Sequence, residues 1–173
     1  RRNTLSWRLA ALAAVASLAL TACSGSGSDT TELVIYVVSE DPVFIEGAAE
    51  GTTIGDVRHR SFESYATEEQ ARAGEEPLSM SWNTFATVID EDLENQTDVR
   101  SLTGHATFND GSSLTWLGSG EIQLGQVPAV GQSHTYVVVG GTGKYFGARG
   151  TMTWELIDVE KQIYRNDFVL ILD

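Results

Sequence analysis

The 173-residue chain contains one cysteine, Cys23, so no disulfide can form within it. It has three prolines, and no apolar run approaches the roughly 20 residues that a membrane-spanning helix needs. The serines are numerous, yet no G-x-S-x-G elbow occurs among them. His59, His105 and His134 are dispersed, without the short helical or hairpin spacing of a metal-ligand pair, so no metal site is expected. Positive charge is also scarce, with 11 Lys and Arg against 24 Asp and Glu and a net charge of −13. Such a surface repels phosphate backbones and anionic headgroups, which excludes nucleic acid as a partner and leaves no electrostatic route to a membrane. The acids cluster at Glu68, Glu69, Glu75 and Glu76 and at Asp90, Glu91, Asp92 and Glu94. They read as solvated loops without EF-hand spacing.

Glycine, in contrast, is concentrated in one place. From Thr135 to Ile157, two β-branched runs flank Gly140, Gly141, Gly143, Gly147 and Gly150. Lys144 follows Gly143, which invites comparison with a phosphate loop, but that motif would need a glycine at Val138 and Ser or Thr at Tyr145. The dinucleotide pattern fails as well, because Gly147 stands one place late and the following residues alternate as a strand. The segment therefore reads as strand, sharp turn, strand, and no nucleotide cofactor is expected.

Arg1, Arg2 and Arg8 precede a small-apolar run from Leu9 to Leu20, followed by Leu20-Thr21-Ala22-Cys23. A cationic start, a short apolar stretch and small residues are the parts of a secretory signal. Leu-Thr-Ala-Cys resembles the bacterial lipobox, in which cleavage precedes a cysteine that then carries the lipid. The expectation is a signal peptide over 1–22, a lipidated Cys23 and a Ser/Gly-rich tether over 23–31. That places the protein in the bacterial cell envelope, exported and tethered, with its membrane contact made through the lipid anchor alone. Lipidation would use the one thiol and remove thiol catalysis.

The remainder, 32–173, suits a single domain. Its apolar runs are short, β-branched or aromatic, and bounded by Gly, Asp, Asn or Pro. They predict strands over 33–39, 53–65, 80–89, 99–108, 113–123, 134–140, 151–158 and 164–172. Asn109-Asp110-Gly111 is a hairpin turn between two of them. The segment 66–78 has some helical leaning and reads as a long connection. Eight strands in this order predict an all-β fold, an eight-stranded antiparallel up-and-down β-barrel. Large apolar residues alternate with polar ones around Trp82, Trp116 and Trp154, which places these rings on repeated faces. In a barrel of this size that face either fills the lumen or lines a small-ligand cavity, and the alternation alone fits both. Tyr36, Trp82, Trp116, Tyr136 and Trp154 are the candidate lumen residues. The first strand is apolar on both faces, which suggests that its outer side is also covered, for instance by a second copy in a homo-oligomer.

The segment VVVGGTGKYFGARGTMTW resembles the glycine motif V-x-G-G-T/S-G-x-F-x-G-A-x-G of the allene oxide cyclase and dirigent superfamily. Ile54-Gly55-Asp56 with Tyr65, Thr107 to Leu114 with Gly118 and Gly120, and Tyr164 to Leu172 extend the likeness over most of 32–173. The nearest in kind are bacterial allene-oxide-cyclase-like barrels, a group that includes cyclases forming spirotetronate and related rings. The resemblance implies an eight-stranded, often oligomeric barrel that folds an apolar molecule for ring closure without a cofactor. Plant allene oxide cyclases carry a glutamate and an asparagine on the first strand; Val37 and Ser39 stand there in this chain.

Two functions of different class follow. One is an anchored barrel that binds a small apolar molecule, with cofactor-free cyclase or isomerase chemistry as its extension. The other is a non-catalytic envelope protein, with a filled barrel used for self-association or partner contact. No catalytic residue is assigned. Arg58, sharing a strand face with Asp56 and Arg60, reads first as part of a solvated charged face and second as a luminal polariser. Glu155 points away from whichever side Trp154 takes, so it is luminal only if the tryptophans face outward.

Overall fold

Strands place successive side chains on opposite faces, so a closed sheet sorts every second residue into one interior. A computed structural model describes residues 30–41, 43–45, 54–92, 94–95, 97–123 and 129–172. Cys23, the signal segment and nearly all of the expected tether lie outside these residues. The strands are β1 (Thr30–Ser39), β2 (Val43–Ile45), β3 (Val57–Tyr65), β4 (Ser79–Asp92), β5 (Thr97–Phe108), β6 (Ser113–Gln123), β7 (Ser133–Thr142), β8 (Arg149–Asp158) and β9 (Ile163–Ile171). Each pairs antiparallel with its neighbours, and β1 bonds to both β9 and β3, through Val37↔Tyr164 and Tyr36↔Tyr65. This closes an eight-stranded barrel. β2, which has no counterpart among the expected strands, continues the position of β1 along β3, with Val43 opposite His59.

Two acidic clusters differ from expectation in form. Asp90, Glu91 and Asp92 end β4 rather than occupying a loop, after a register shift between Val88 and Asp90. Glu68 and Glu69 open a short helix, α1 (Glu68–Ala73), capped by the Thr67 side chain at its start and by left-handed Gly74 at its end. α1 lies on the outside of the barrel. Arg72 pairs with Glu68 and Asp158, and Lys161 Nζ donates to the Arg72 carbonyl at 2.9 Å.

The helix explains the doubly apolar first strand. Tyr36 and Val38 face outward and pack with Tyr65, Ala71, Ile163 and Ile157, while Ile35 and Val37 face the interior. The outer side of β1 is thus covered by the chain itself at Tyr36 and Val38, while Val34 stays exposed. Among the described residues no helix is long and apolar enough to cross a membrane.

The glycine-rich segment is a barrel corner. β7 runs on to Thr142, one 3₁₀ turn (Gly143–Tyr145) follows, and β8 begins at Arg149. Gly143 and Gly147 take φ of +61° and +71°, where an L side chain is strained. The turn folds Tyr145 over Phe108, with ring centroids 5.3 Å apart. Lys144 Nζ pairs with Asp110 of the neighbouring hairpin at 2.8 Å, which joins the two turns that close this end.

Candidate functional site

The lumen has two halves. Towards the glycine corner it is packed with aromatic rings: Trp82 lies 5.1 Å from Trp116 and 6.1 Å from Phe168, and Trp116 lies 5.8 Å from Phe168. The ring of Trp116 fits because its partner on β5 is Gly104, and the ring of Tyr136 sits similarly against Gly118. Fully burying such rings contributes about 1.5–3 kcal/mol each, so this half is the core.

The other half is open. Where β5 begins and β4 ends, the barrel holds a cavity of about 750 Å³ of atom-free space counting its mouth, of which about 100 Å³ admits the centre of a water molecule. The enclosed part is smaller than the roughly 150 Å³ of a cavity that holds benzene, so an organic ligand would extend into the mouth. Trp82 and Trp116 form part of its lining, together with Phe62, Leu102, Tyr136 and Trp154. Four of the five candidate lumen residues therefore meet around one cavity. Tyr36 does not: it stands on the opposite face of β1, beneath α1, because Val37 takes the inward position.

The polar groups of the cavity come from strands that read as ordinary in sequence. Arg58 and Arg60 line it, which corrects the expectation of a solvated face on β3. Arg60 Nη1 donates to the Tyr164 hydroxyl at 3.0 Å, and that hydroxyl donates to Gln162 Oε1 at 3.2 Å. Burial, and then the nearby Arg100 and Arg60 cations, pull the Arg58 guanidinium down to about 10. On β5, Asp98 and Arg100 face the interior as a bidentate pair, with Nε to Oδ1 at 2.7 Å and Nη2 to Oδ2 at 2.6 Å. They are 0% and 4% exposed, respectively.

Two further donors are buried without an acceptor: Trp116 Nε1 and Asn166 Nδ2. Burial raises the Tyr136 hydroxyl pKa against an opposing hydrogen bond from Trp154, so it stays protonated at neutral pH. His134 lies tilted against Trp154 with ring centroids 5.1 Å apart, and desolvation lowers its pKa. The cavity can thus hold an apolar body and offer hydrogen-bond donors to oxygen atoms on it. Glu155 pairs in register with Arg165 on the outer face, as inward-facing tryptophans require.

The alternation on β5, Asp98-x-Arg100-x-Leu102-x-Gly104-x-Ala106-x-Phe108, was the available sign of the buried ion pair, since its apolar end fixes the face that its charged end shares. The histidines stay apart. His59 stacks on Phe85 at 4.6 Å and His105 bonds to Thr115 and Thr107, so both lie away from the cavity. Among the described residues no group of His, Cys, Asp or Glu is placed to hold a metal ion.

No protein-family model and no curated protein matches the sequence. Solved structures do match the fold. A pyocyanin demethylase superposes with a TM-score of 0.60 at 12% identity, covering 81% of this chain and 99% of that one. A pterocarpan synthase dirigent protein gives 0.59 at 18% identity, covering 83% and 95%. A nonspecific heme-binding cyclase, which catalyses a cycloaddition during neoabyssomicin biosynthesis, gives 0.53 at 12% identity, covering 86% and 66%. At these identities the likeness is one of fold.

Proposed function

We propose that this protein binds a small, mainly apolar molecule in the open half of its barrel, as a member of the allene-oxide-cyclase-like and dirigent-like group. The carrying observation is the cavity itself, an aromatic wall of Phe62, Trp82, Trp116, Tyr136 and Trp154 with Arg58, Arg60 and Asn166 as its polar lining. Cofactor-free cyclisation or isomerisation suits such a site, because rigid walls hold a flexible chain near its reactive shape while Tyr136 and Arg60 polarise an oxygen. The dirigent and cyclase neighbours agree with this chemistry. Export and a lipid on Cys23 would put the site at the bacterial cell envelope.

Tryptophan fluorescence tests the binding. A panel of apolar compounds is expected to include some that quench it saturably, with a weaker response in Trp154→Ala. A panel that leaves the emission unchanged in the wild type counts against a ligand site.

One observation favours the alternative, a non-catalytic barrel that works through its outer surface. Leu117 and Val137, register partners on β6 and β7, are 45% and 54% exposed, with Val139 beside them. Single exposed apolar residues are ordinary, but an adjacent set suits contact with a second copy. Val137→Lys would then lower the mass measured by light scattering.

A further inference from the structure

The lumen carries one cation whose partner is missing. Arg60 projects from β3 into the cavity, and its side-chain hydrogen bond goes to a neutral group, the Tyr164 hydroxyl. Its Nε is buried without an acceptor, and among the described residues Arg60 makes no ion pair. Arg60 is partly exposed, so water reaches its outer nitrogens, but a guanidinium set among apolar rings is answered best by an anion. The fully buried carboxylate in this region does not supply one, because both oxygens of Asp98 are taken by Arg100. Glu91, opposite Asp98 on β4, has a buried Oε1 that accepts no hydrogen bond, so that atom does not serve Arg60 either. Arg58 lines the same cavity, its pKa brought down first by burial and then by the Arg100 and Arg60 charges, with Asp98 acting in the opposite direction.

The uncharged polar atoms point the same way. Trp116 Nε1 can only donate, and Asn166 Nδ2 is a donor aimed at no acceptor; these residues are 0% and 3% exposed. A cavity with aromatic walls and two guanidinium groups in its lining is complementary to an apolar molecule that bears acceptor oxygens. A carboxylate answers a guanidinium best, through two parallel charge-assisted bonds.

We infer that the ligand is an apolar carboxylic acid, with its carboxylate on Arg60 beside Arg58 and its apolar body against Trp116 and Trp154. This rests on the reading of the lumen as a binding site and names the class of molecule it takes. The otherwise acidic chain makes the point sharper. Its net charge of −13 repels anions at long range, so selection of an acid has to come from the cavity arginines at short range.

The test is calorimetry on the full chain with two probes of one shape, naphthoate and its neutral counterpart naphthylmethanol. The wild type is expected to bind the acid about ten-fold more tightly or better, the scale of one hydrogen bond to a charged group. Arg60→Gln is expected to abolish that advantage, lowering the affinity for naphthoate by much more than that for naphthylmethanol, and Arg60→Lys to retain part of it. Equal affinities in the wild type, or an acid preference that survives Arg60→Gln, would overturn the inference while leaving the lumen site standing. Binding of neither probe would remove the site and the inference together. If Arg60→Gln does not fold, the wild-type pair and Arg60→Lys decide: a wild-type preference that Arg60→Lys narrows supports the inference, and one that it leaves unchanged overturns it.

Discussion

The indole of Trp116 occupies the space that a side chain at Gly104 would need: a Cβ built there lies 2.1 Å from the ring. The two residues are register partners on β5 and β6, and the ring they accommodate separates the filled half of the barrel from the open one. Gly104→Ala is therefore expected to destabilise the fold by about 1–3 kcal/mol through overpacking. In a Trp116→Leu background the same change should cost close to nothing. Urea unfolding of the four proteins measures this coupling, and an equal cost in both backgrounds would contradict it.

Asp98 and Arg100 form a buried pair, so removal of one partner exposes the desolvation cost of the other. Asp98→Ala is expected to cost about 3–5 kcal/mol, because the Arg100 charge stays buried and unanswered. Asp98→Leu combined with Arg100→Met should cost less than Asp98→Ala alone. A double variant that is the less stable of the two would mean that the pair contributes net stability.

His134 gives the fold a pH dependence with a definite sign. Desolvation lowers its folded pKa below the usual 6.5, so the unfolded chain takes up the proton first. This contribution is complete above the unfolded pKa and is lost as pH falls through the folded one. The melting temperature should decline on acidification from 7.5 to 5.5, more steeply than in His134→Gln, over a range chosen about the ordinary histidine value. Parallel declines in the two proteins would remove His134 as the cause.

Anchoring is tested at Cys23, which lies outside the described residues. Cys23→Ser is expected to move the protein from the membrane fraction to the soluble fraction of cells that process lipoproteins. Continued membrane retention of the serine variant would argue against a lipid anchor.

Much of the barrel was legible in the sequence because its physical causes are local. Trp82, Trp116 and Trp154 each sit in a stretch that alternates apolar and polar, and Asn109-Asp110-Gly111 sets a tight turn, so strand order and inward faces could be read together. Alternation fails where both faces carry the same kind of residue. On β1 both are apolar because α1 covers the outside, and Tyr36 was therefore assigned to the wrong face. On β3 both are polar: Arg58 and Arg60 alternate with His59 and Ser61, and only Phe62 hints at which side is inside. The donors of the cavity were hidden for a different reason. Tyr164 and Asn166 matter through groups more than a hundred residues away, such as Arg60, and closure of the sheet is what brings them together.

The central claim is that the open half of the barrel holds one small apolar molecule. Ala86 lines this cavity on β4, so Ala86→Trp should fill it while leaving the aromatic core around Trp116 in place. Calorimetric titration with naphthylmethanol tests the claim directly. Saturable binding of one molecule per chain is expected, abolished in an Ala86→Trp protein that still unfolds cooperatively. No saturable heat from the wild type, or undiminished binding to Ala86→Trp, would contradict it.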